Sequence, residues 1–206
     1  MRALIIVDLQ NDFVAGGTLE VPHGEQIIPL VNELSELFGL VIATQDWHPR
    51  SHKSFASNHA DKKPFDKIQL DGLEQVLWPD HCVQGTSGAE FHQQLHMDSV
   101  EAIFRKGMDP AIDSYSGFYD NGRKKTTGLS GYLKERGVTS VFVCGLAADY
   151  CVFFTAKDAL KEGFSTTLIQ DATRAIDKDD FQRAKEELVR LGGQVCDSSG
   201  INPAFP

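Results

Sequence analysis

A chain of 206 residues with 41% hydrophobic residues is long enough to form one domain with a full apolar core. Its formal net charge of −9 argues against nucleic acid or an anionic membrane surface as the partner. No apolar run approaches the ~20 residues of a membrane span, and Asp8 interrupts the N-terminal run at residues 3–7, which argues against a signal peptide.

The hydrophobic pattern predicts strands that alternate with helices along the whole chain. Short apolar runs predict six strands, at residues 3–7, 40–44, 100–104, 141–144, 164–169 and 194–196. Helical spacing predicts helices from about residue 24, at 127–136, at 149–162 and at 180–191, with a short one at 90–95. This order predicts a single α/β domain over residues 1–206, with a three-layer Rossmann-like fold. Its mostly parallel six-stranded sheet is expected to carry helices on both faces.

One connection is far longer than a plain βαβ unit requires. About 40 residues separate the strand at 40–44 from the helix predicted near residue 90, where about 2–6 are usual. This segment contains two tryptophans and four histidines, His48, His52, His59 and His81. Its aromatic and proline content predicts an ordered lid, inserted at about 46–88.

Cys151 is the first candidate for a reactive side chain. It follows the strand at 141–144 and falls in the first turn of the helix predicted at 149–162. Unpaired N–H groups and the helix dipole lower the pKa of a thiol at such a place, and ligand sites of open α/β sheets gather there. Most free cysteines are instead buried apolar residues, so this segment alone leaves both interpretations open.

Charged residues at two other strand ends favour a catalytic thiol. The first strand delivers Asp8 and the third delivers Lys106, both to the carboxyl edge of a parallel sheet. An adjacent base accepts a thiol proton, and a cation favours the thiolate. Seen alone, Asp8 is compatible with a loop cap and Lys106 with a solvated strand end. Together with Cys151 they predict a catalytic set.

A D-x-H triplet, Asp46 and His48, follows the second strand. In extended chain these two side chains point the same way, and a carboxylate with an imidazole suits Zn, Fe or Mn. His81 is the natural third ligand, whereas His52 and His59 are not expected to bind metal. The four cysteines lack C-x-x-C spacing and disulfide density, so reduced thiols in a cytoplasmic protein are expected.

Six motifs together carry a family resemblance. They are VDLQNDF at 7–13, TQDWH at 44–48, WPDHCVQGT at 78–86, FRKG at 104–107, YSGF at 115–118 and GLAADYCV at 145–152. With them the chain resembles the nicotinamidases of the isochorismatase-like cysteine hydrolase superfamily over essentially its whole length. The catalytic set marks the superfamily, and the D-x-H triplet with the W-P-x-H-C segment marks the nicotinamidase branch.

The resemblance implies a thiol amidase that hydrolyses nicotinamide to nicotinate and ammonia through a thioester on Cys151. Asp8 would take the thiol proton and later give it to departing ammonia, while Lys106 would hold both anions. The oxyanion would lie on the backbone N–H groups of Ala147 and Cys151, after a cis peptide bond between Leu146 and Ala147.

The resemblance also implies one divalent metal ion, held by Asp46, His48 and His81 and facing the pyridine nitrogen. Zinc is the expected metal, with iron or manganese as alternatives. Some relatives place a further ligand where this chain has Ser54, so Ser54 is expected to act on the metal site through a water molecule.

The ring of the substrate would lie between Phe13 and Trp78, with Tyr115 as a third wall. Tyr150 stands where some relatives carry histidine, which changes the polar edge of the pocket. A role in NAD salvage and activity on pyrazinamide are further expectations, and a homo-oligomer is left open.

Three other classes compete with this interpretation. A related amidase or isochorismatase-type hydrolase needs the catalytic set but not the metal ligands. An aspartyl phosphotransferase needs a second aspartate two residues after Asp8, where this chain has Gln10. A non-enzymatic metal-binding protein explains the histidines but neither Lys106 nor Cys151.

Overall fold

The computed structural model describes residues 1–201; the predicted domain extends to 206, so its last five residues lie outside the described part. The strands are β1 (Arg2–Val7), β2 (Val41–Asp46), β3 (Lys67–Leu70), β4 (Leu73–Val76), β5 (Val100–Lys106), β6 (Ser140–Gly145), β7 (Ser165–Thr173) and β8 (Gln194–Cys196). The α-helices are α1 (Ile28–Ser35), α2 (Leu129–Glu135), α3 (Phe153–Lys161) and α4 (Lys178–Arg190). Across residues 1–201, no helix is long and apolar enough to cross a bilayer.

Six strands form one sheet in the order β5-β2-β1-β6-β7-β8, and every neighbouring pair is parallel. Strand β1 lies near the centre, and its side chains alternate between two apolar cores. Leu4 and Ile6 enter the core that α1 covers, and Ile5 and Val7 enter the core covered by α2, α3 and α4. The predicted three-layer fold with helices on both faces is therefore confirmed.

Several strands are longer than predicted, and in β2 and β5 the difference moves functional residues. Strand β2 ends at Asp46 and β5 ends at Lys106, and these two residues are register partners in the parallel pair. Both side chains are therefore held by the rigid edge of the sheet. Asp46 does not belong to the lid.

The prediction of a helix at residues 90–95 is wrong, because this segment is not helical. The backbone of this segment pairs with the loop that follows β1: Asn11 donates to the carbonyl of Glu90 at 3.0 Å, and His92 donates to the carbonyl of Leu9 at 2.9 Å. A segment this short cannot offset the cost of helix nucleation, so partners remote in the chain decide its conformation.

The helix predicted from residue 149 begins later, at Phe153. Residues Ala148–Val152 instead form one π-turn, in which the Val152 N–H donates to the carbonyl of Ala147 at 3.1 Å. Such wide turns occur mostly next to functional sites. Cys151 therefore lies in an irregular turn between β6 and α3.

A β-hairpin that the hydrophobic pattern did not predict lies in the lid. Strands β3 and β4 pair antiparallel, apart from the main sheet. Their connecting residues Asp71 and Gly72 both have positive φ, 50° and 82°, as a two-residue type I′ turn requires. Strand β4 leads directly into Leu77 and Trp78, so the hairpin is tied to the segment that carries His81.

A second lid turn precedes the hairpin. The Asp66 N–H donates to the carbonyl of Lys63 at 3.2 Å, which leaves Pro64 and Phe65 as the central residues. Phe65 has φ 74°, in the left-handed region, where an L-residue with a Cβ costs about 1–2 kcal/mol.

The carboxylate of Glu162 joins α3 to α2 at the periphery of the fold. It accepts hydrogen bonds from Ser130 Oγ at 2.6 Å, from Tyr119 OH at 2.7 Å and from Lys134 Nζ at 2.9 Å. The bonds from Ser130, Tyr119 and Lys134 lower the pKa of Glu162 from 4.5 to about 2. Because the folded pKa is depressed, this stabilisation is present above pH 4.5 and is lost as pH falls toward 2.

The substitution Glu162→Gln is therefore expected to lower the free energy of unfolding at pH 7 by about 2 kcal/mol. The gap between variant and wild type should narrow below pH 4.5, because Glu162 of the unfolded wild-type chain becomes protonated there while the folded protein keeps the carboxylate until about pH 2. Urea unfolding at pH 7 and pH 3 measures both effects, with the exposed Glu33→Gln as control. A gap of equal size at the two pH values would show that the carboxylate charge is not the cause.

Candidate active site

The three predicted catalytic residues meet at the carboxyl edge of the sheet. Asp8 directly follows β1, Lys106 ends β5, and Cys151 lies in the turn after β6. The Lys106 Nζ atom is 2.9 Å from Asp8 Oδ2 and 3.3 Å from Cys151 Sγ. All three residues are buried, with at most 7% of any one exposed. A carboxylate, an ammonium and a thiol thus share a site from which bulk water is excluded.

Asp8 is held in an unusual backbone conformation, with φ 48°. Thr44 Oγ1 donates to Asp8 Oδ1 at 2.7 Å and fixes the carboxylate. Burial raises the pKa of Asp8, although the Lys106 ammonium lowers it. A carboxyl group whose pKa is raised holds a proton more readily, which suits a residue that must accept and return one.

The Cys151 thiol differs from the expectation based on local sequence. Burial raises its pKa well above the ordinary value; Lys106 lowers it, while Asp8 and Asp46 raise it further. A low pKa from a helix N-terminus was predicted, but α3 begins only after Cys151, and two carboxylates face the sulfur. The resting thiol is therefore protonated, and the thiolate forms when a base takes the proton.

Lys106 has four polar neighbours in the buried site. Besides Asp8 and Cys151, its Nζ lies 2.8 Å from Asp46 Oδ1 and donates to the carbonyl of Ser114 at 2.9 Å. Burial lowers the pKa of Lys106, but the carboxylates of Asp46 and Asp8 raise it more, to well above its ordinary value. The side chain remains an ammonium throughout the working pH range.

Asp46, His48 and His81 form a buried group whose ligand atoms could share one cation. The Nδ1 atom of His48 contacts the carbonyl of Gly107 at 2.9 Å, and that of His81 contacts the carbonyl of Pro79 at 2.8 Å. A carbonyl only accepts, so each Nδ1 carries the hydrogen. The Nε2 atoms of His48 and His81 lie 3.2 and 3.6 Å from Asp46 Oδ2. Two imidazole lone pairs then face one carboxylate oxygen, and a divalent cation fits that donor set.

The charges around Asp46 agree with this interpretation. Burial raises the pKa of Asp46, but His48 and Lys106 lower it to well below its usual value. Burial also lowers the pKa of His48, but Asp46 raises it more. The site thus favours positive charge beside Asp46 Oδ2.

Gly107 is required at the point where β5 leaves the sheet. Its φ is 66°, and a Cβ there would stand 2.3 Å from His48 Cε1. The FRKG motif therefore supplies Lys106 to the catalytic set and, through Gly107, leaves room for the His48 ring in the ligand group.

Asp46 belongs to both groups at once. Its Oδ1 contacts the Lys106 ammonium and its Oδ2 faces the two imidazoles. The Asp46 backbone is held by Gln10, which accepts from the Asp46 N–H and donates to its carbonyl, both at 2.8 Å. The sequence pattern placed metal ligands and nucleophile on separate segments, whereas a single carboxylate links them.

The predicted ring-binding residues line one cavity between the two groups. Phe13, Trp78 and Tyr115 share its wall with Cys151 and with His81. The remaining lining residues are Leu19, Asp46, Asp113, Ala147, Tyr150 and Ile176. A flat ring in this cavity has the ligand group on one side and the thiol on another.

Asp113 is a lining residue that sequence reasoning missed. It is buried, and its carboxylate accepts from Gln75 Nε2 at 2.9 Å and from the Ser114 N–H at 2.8 Å. The available signal was its place two residues before the YSGF motif. Gln75 belongs to the lid hairpin, so Asp113 also ties the lid to the body of the protein.

The peptide bond between Leu146 and Ala147 is cis, as the resemblance implied. Ala147 and Cys151, whose N–H groups are the predicted oxyanion hole, both line the cavity. Their role in binding an oxyanion stays a prediction.

Of the other lid residues considered from the sequence, Ser54 and His52 lie beside the ligand group, whereas His59 lies apart from it. Ser54 is fully buried, and its Oγ lies 2.7 Å from His52 Nδ1. Burial lowers the pKa of His52 to about 4, so its ring is neutral at pH 7, and it packs against His48 with ring centroids 4.4 Å apart. His59 lies apart from the ligand group, bound to the carbonyl of Lys53 at 2.7 Å. An action of Ser54 on the metal site through water stays a prediction.

Residues 2–199 match the isochorismatase domain family, and the chain belongs to that family. Its similarity to nicotinamidases is high. The nicotinamidase of Acinetobacter baylyi is 50% identical, over 97% of this chain and 94% of that protein. The solved structure of an Acinetobacter baumanii nicotinamidase pyrazinamidase is 47% identical, covers 96% of both chains and has a TM-score of 0.94. A Pyrococcus horikoshii pyrazinamidase solved in complex with zinc is 42% identical, covers 95% of this chain and 98% of that one, and has a TM-score of 0.78.

Proposed function

We propose that the chain is a nicotinamidase, which hydrolyses nicotinamide to nicotinate and ammonia. One observation carries the proposal: a single aromatic cavity is lined both by Cys151 of the catalytic set and by Asp46 and His81 of the ligand group. A pyridine carboxamide has the matching chemistry, with a nitrogen lone pair on one edge and an electrophilic carbon on another. A metal-free amidase would not need the second group.

The chemistry begins with the thiol proton. Asp8 takes the proton of Cys151, and the Lys106 ammonium stabilises the resulting thiolate. The sulfur attacks the carboxamide carbon, and the developing oxyanion accepts hydrogen bonds from the N–H groups of Ala147 and Cys151. Asp8 returns the proton to nitrogen, the C–N bond breaks, and ammonia leaves a thioester behind.

The second half of the reaction repeats these roles with water. Asp8 takes a proton from water as the hydroxyl oxygen bonds to the thioester carbon. The C–S bond then breaks, the proton on Asp8 returns to the sulfur, and nicotinic acid departs and loses its carboxyl proton to solvent as nicotinate. Lys106 remains an ammonium in both halves, which is consistent with its high pKa.

Asp46, His48 and His81 would hold the metal, for which zinc is the best candidate and iron or manganese are alternatives. When bound, the metal supplies a Lewis-acid anchor for the ring nitrogen. Ser54 would act on this site through a water molecule. Phe13 and Trp78 sandwich the ring, and Tyr115 closes the third side.

The ring geometry also predicts activity on pyrazinamide. Pyrazinamide keeps a nitrogen in the meta position relative to its carboxamide, as nicotinamide does, so the same anchor and the same thiol fit both. The proposed setting is NAD salvage in the cytoplasm, with no nucleic acid or membrane as partner.

Ammonia release from nicotinamide tests the function directly. Wild-type protein should release ammonia, and a chelator should suppress the reaction. Benzamide, which lacks the ring nitrogen, should be a poor substrate with or without metal. Absence of ammonia release from nicotinamide would reject the function. Equal turnover of benzamide, only with metal bound, would instead mean that the metal acts on the reacting group.

Removal of one metal ligand is expected to abolish productive binding of the substrate ring without changing the reactivity of the Cys151 thiol. The substitution His48→Ala should lose the metal and nicotinamide hydrolysis together, because an unanchored ring rarely presents its carboxamide to the thiol. Iodoacetamide should still modify Cys151 at a rate close to that of the holoenzyme, since Lys106 and Asp8 stay in place.

Metal content by mass spectrometry and the alkylation rate measure this prediction. His59→Ala is the matched control, because His59 lies in the same lid but outside the ligand group, and it should keep both metal and activity. A metal-free His48→Ala protein that hydrolyses nicotinamide normally would remove the anchoring role.

A further inference from the structure

Phe65 occupies a turn position that normally belongs to glycine. The turn from Lys63 to Asp66 has Pro64 and Phe65 at its centre, and φ of Phe65 is 74°. A type II turn requires positive φ at this place, which favours glycine or asparagine. The phenylalanine is also 58% exposed, so burial of apolar surface does not account for it. A bulky residue at such a site indicates that its ring makes a contact that offsets the backbone strain.

The ring of Phe65 packs against Trp78. Their centroids lie 6.0 Å apart at an interplanar angle of 84°, which is an edge-to-face contact. The backbone reinforces it: Phe65 donates to the carbonyl of Leu77 at 2.6 Å, and Leu77 donates to the carbonyl of Asp66 at 2.8 Å. The turn is thereby fixed to the residue just before Trp78.

Trp78, which Phe65 contacts, is a wall of the cavity. Tyr150 and Tyr115 contact the indole from within the cavity, with centroids at 4.9 and 6.3 Å, and Trp78 itself is 4% exposed. Phe65 does not line the cavity. Phe65 therefore supports the indole from outside the set of residues that line the cavity.

We propose that Phe65 is a positioning residue that fixes the orientation of Trp78 and so sets the width of the slot for the substrate ring. The inference rests on the proposed function for its kinetic consequence. The cost of a phenylalanine in the left-handed region is explained by this contact, because glycine would relax the turn but remove the edge-to-face contact with the indole.

The decisive variant is Phe65→Gly, which relaxes the turn and removes the ring. The KM for nicotinamide should rise about 3–10-fold, as expected for the loss of one aromatic pair, with kcat within about twofold of wild type. Phe65→Tyr should restore the wild-type KM. The melting temperature should not fall by more than about 2 °C, since backbone relaxation offsets the lost packing.

Asp61→Gly is the matched control. Asp61 is an exposed lid residue that also has positive φ, 59°, so glycine relaxes its backbone in the same way without touching Trp78. Its KM should equal that of wild type. An unchanged KM in Phe65→Gly, or an equal rise in Asp61→Gly, would overturn the proposal.

A second measurement does not depend on catalysis. The chain has two tryptophans, so Trp47→Phe leaves Trp78 as the sole indole. In that background, Phe65→Gly should increase acrylamide quenching of Trp78 fluorescence, and Asp61→Gly should not. Unchanged quenching refutes the positioning role even if wild-type protein releases no ammonia, which would reject the proposed function separately.

Discussion

Replacing Cys151 with alanine is expected to abolish amide hydrolysis while leaving the fold and metal binding intact. Cys151 is the sulfur that Lys106 contacts at 3.3 Å, and an alanine side chain has no atom that could form a thioester. The loss in kcat should be about 10⁴–10⁶-fold, the range for removal of a nucleophile. Alanine is small and apolar, so neighbouring packing should persist.

Ammonia release at saturating nicotinamide measures the loss, with metal content and circular dichroism as checks on the folded state. Cys144→Ala and Cys196→Ala are the matched controls. Cys144 is buried in β6, and burial raises the pKa of its thiol; Cys196 ends β8, far from Lys106 in the sheet order. Both controls should stay active. Substantial turnover by Cys151→Ala would reject the thioester mechanism.

Asp8→Asn is expected to remove nearly all activity as well. Asparagine keeps the shape that Thr44 recognises but cannot accept the thiol proton. Without that base the thiol, whose pKa is well above its ordinary value, stays protonated. A loss of about 10³–10⁴-fold in kcat is the order expected when such a carboxylate is neutralised.

The double variant decides whether Asp8 and Cys151 act as one unit. Because both changes disable the same thiolate, Asp8→Asn should add almost nothing in a Cys151→Ala background. The measurement is residual ammonia release in the two single variants and the double variant, each with the same metal content. If the two losses multiply, Asp8 has a role independent of the thiol and the shared mechanism is wrong.

Much of the site follows from the ends of strands. Short apolar runs located the parallel strands, and Asp8 and Lys106 stand at the carboxyl ends of two of them. In a parallel sheet those ends share one edge, so local pattern and topology sufficed to bring remote residues together. The motif resemblance then supplied roles that spacing alone left open.

Other features depended on contacts that no local window contains. The predicted direction of the Cys151 pKa shift was wrong, because folding buries the sulfur and brings Asp8 and Asp46 close to it. The link from Asp46 to Lys106 likewise follows from the pairing of β2 with β5. These are effects of register and burial, which hydrophobic periodicity does not encode.

The hairpin β3–β4 was missed for a different reason. Its Asp71–Gly72 turn is a strong hairpin signal, but the flanking strands are mostly half-buried or exposed and lack a clean apolar face. Their order comes from side chains such as Gln75, which binds Asp113 across the cavity wall. Turn chemistry was the better guide here than hydrophobicity.

The Asp71–Gly72 turn separates the catalytic residues, and also the candidate metal ligands, into two parts of the chain. Residues before Asp71 include Asp8, Asp46 and His48, and those after Gly72 include His81, Lys106 and Cys151. Exposed turn tips of this kind tolerate a break in the backbone. A chain cut between Asp71 and Gly72 yields two fragments, neither of which holds a complete catalytic set or a complete ligand set. Hydrolysis of nicotinamide by the mixed fragments, but by neither fragment alone, would then show that the two fragments reassociate into a folded protein.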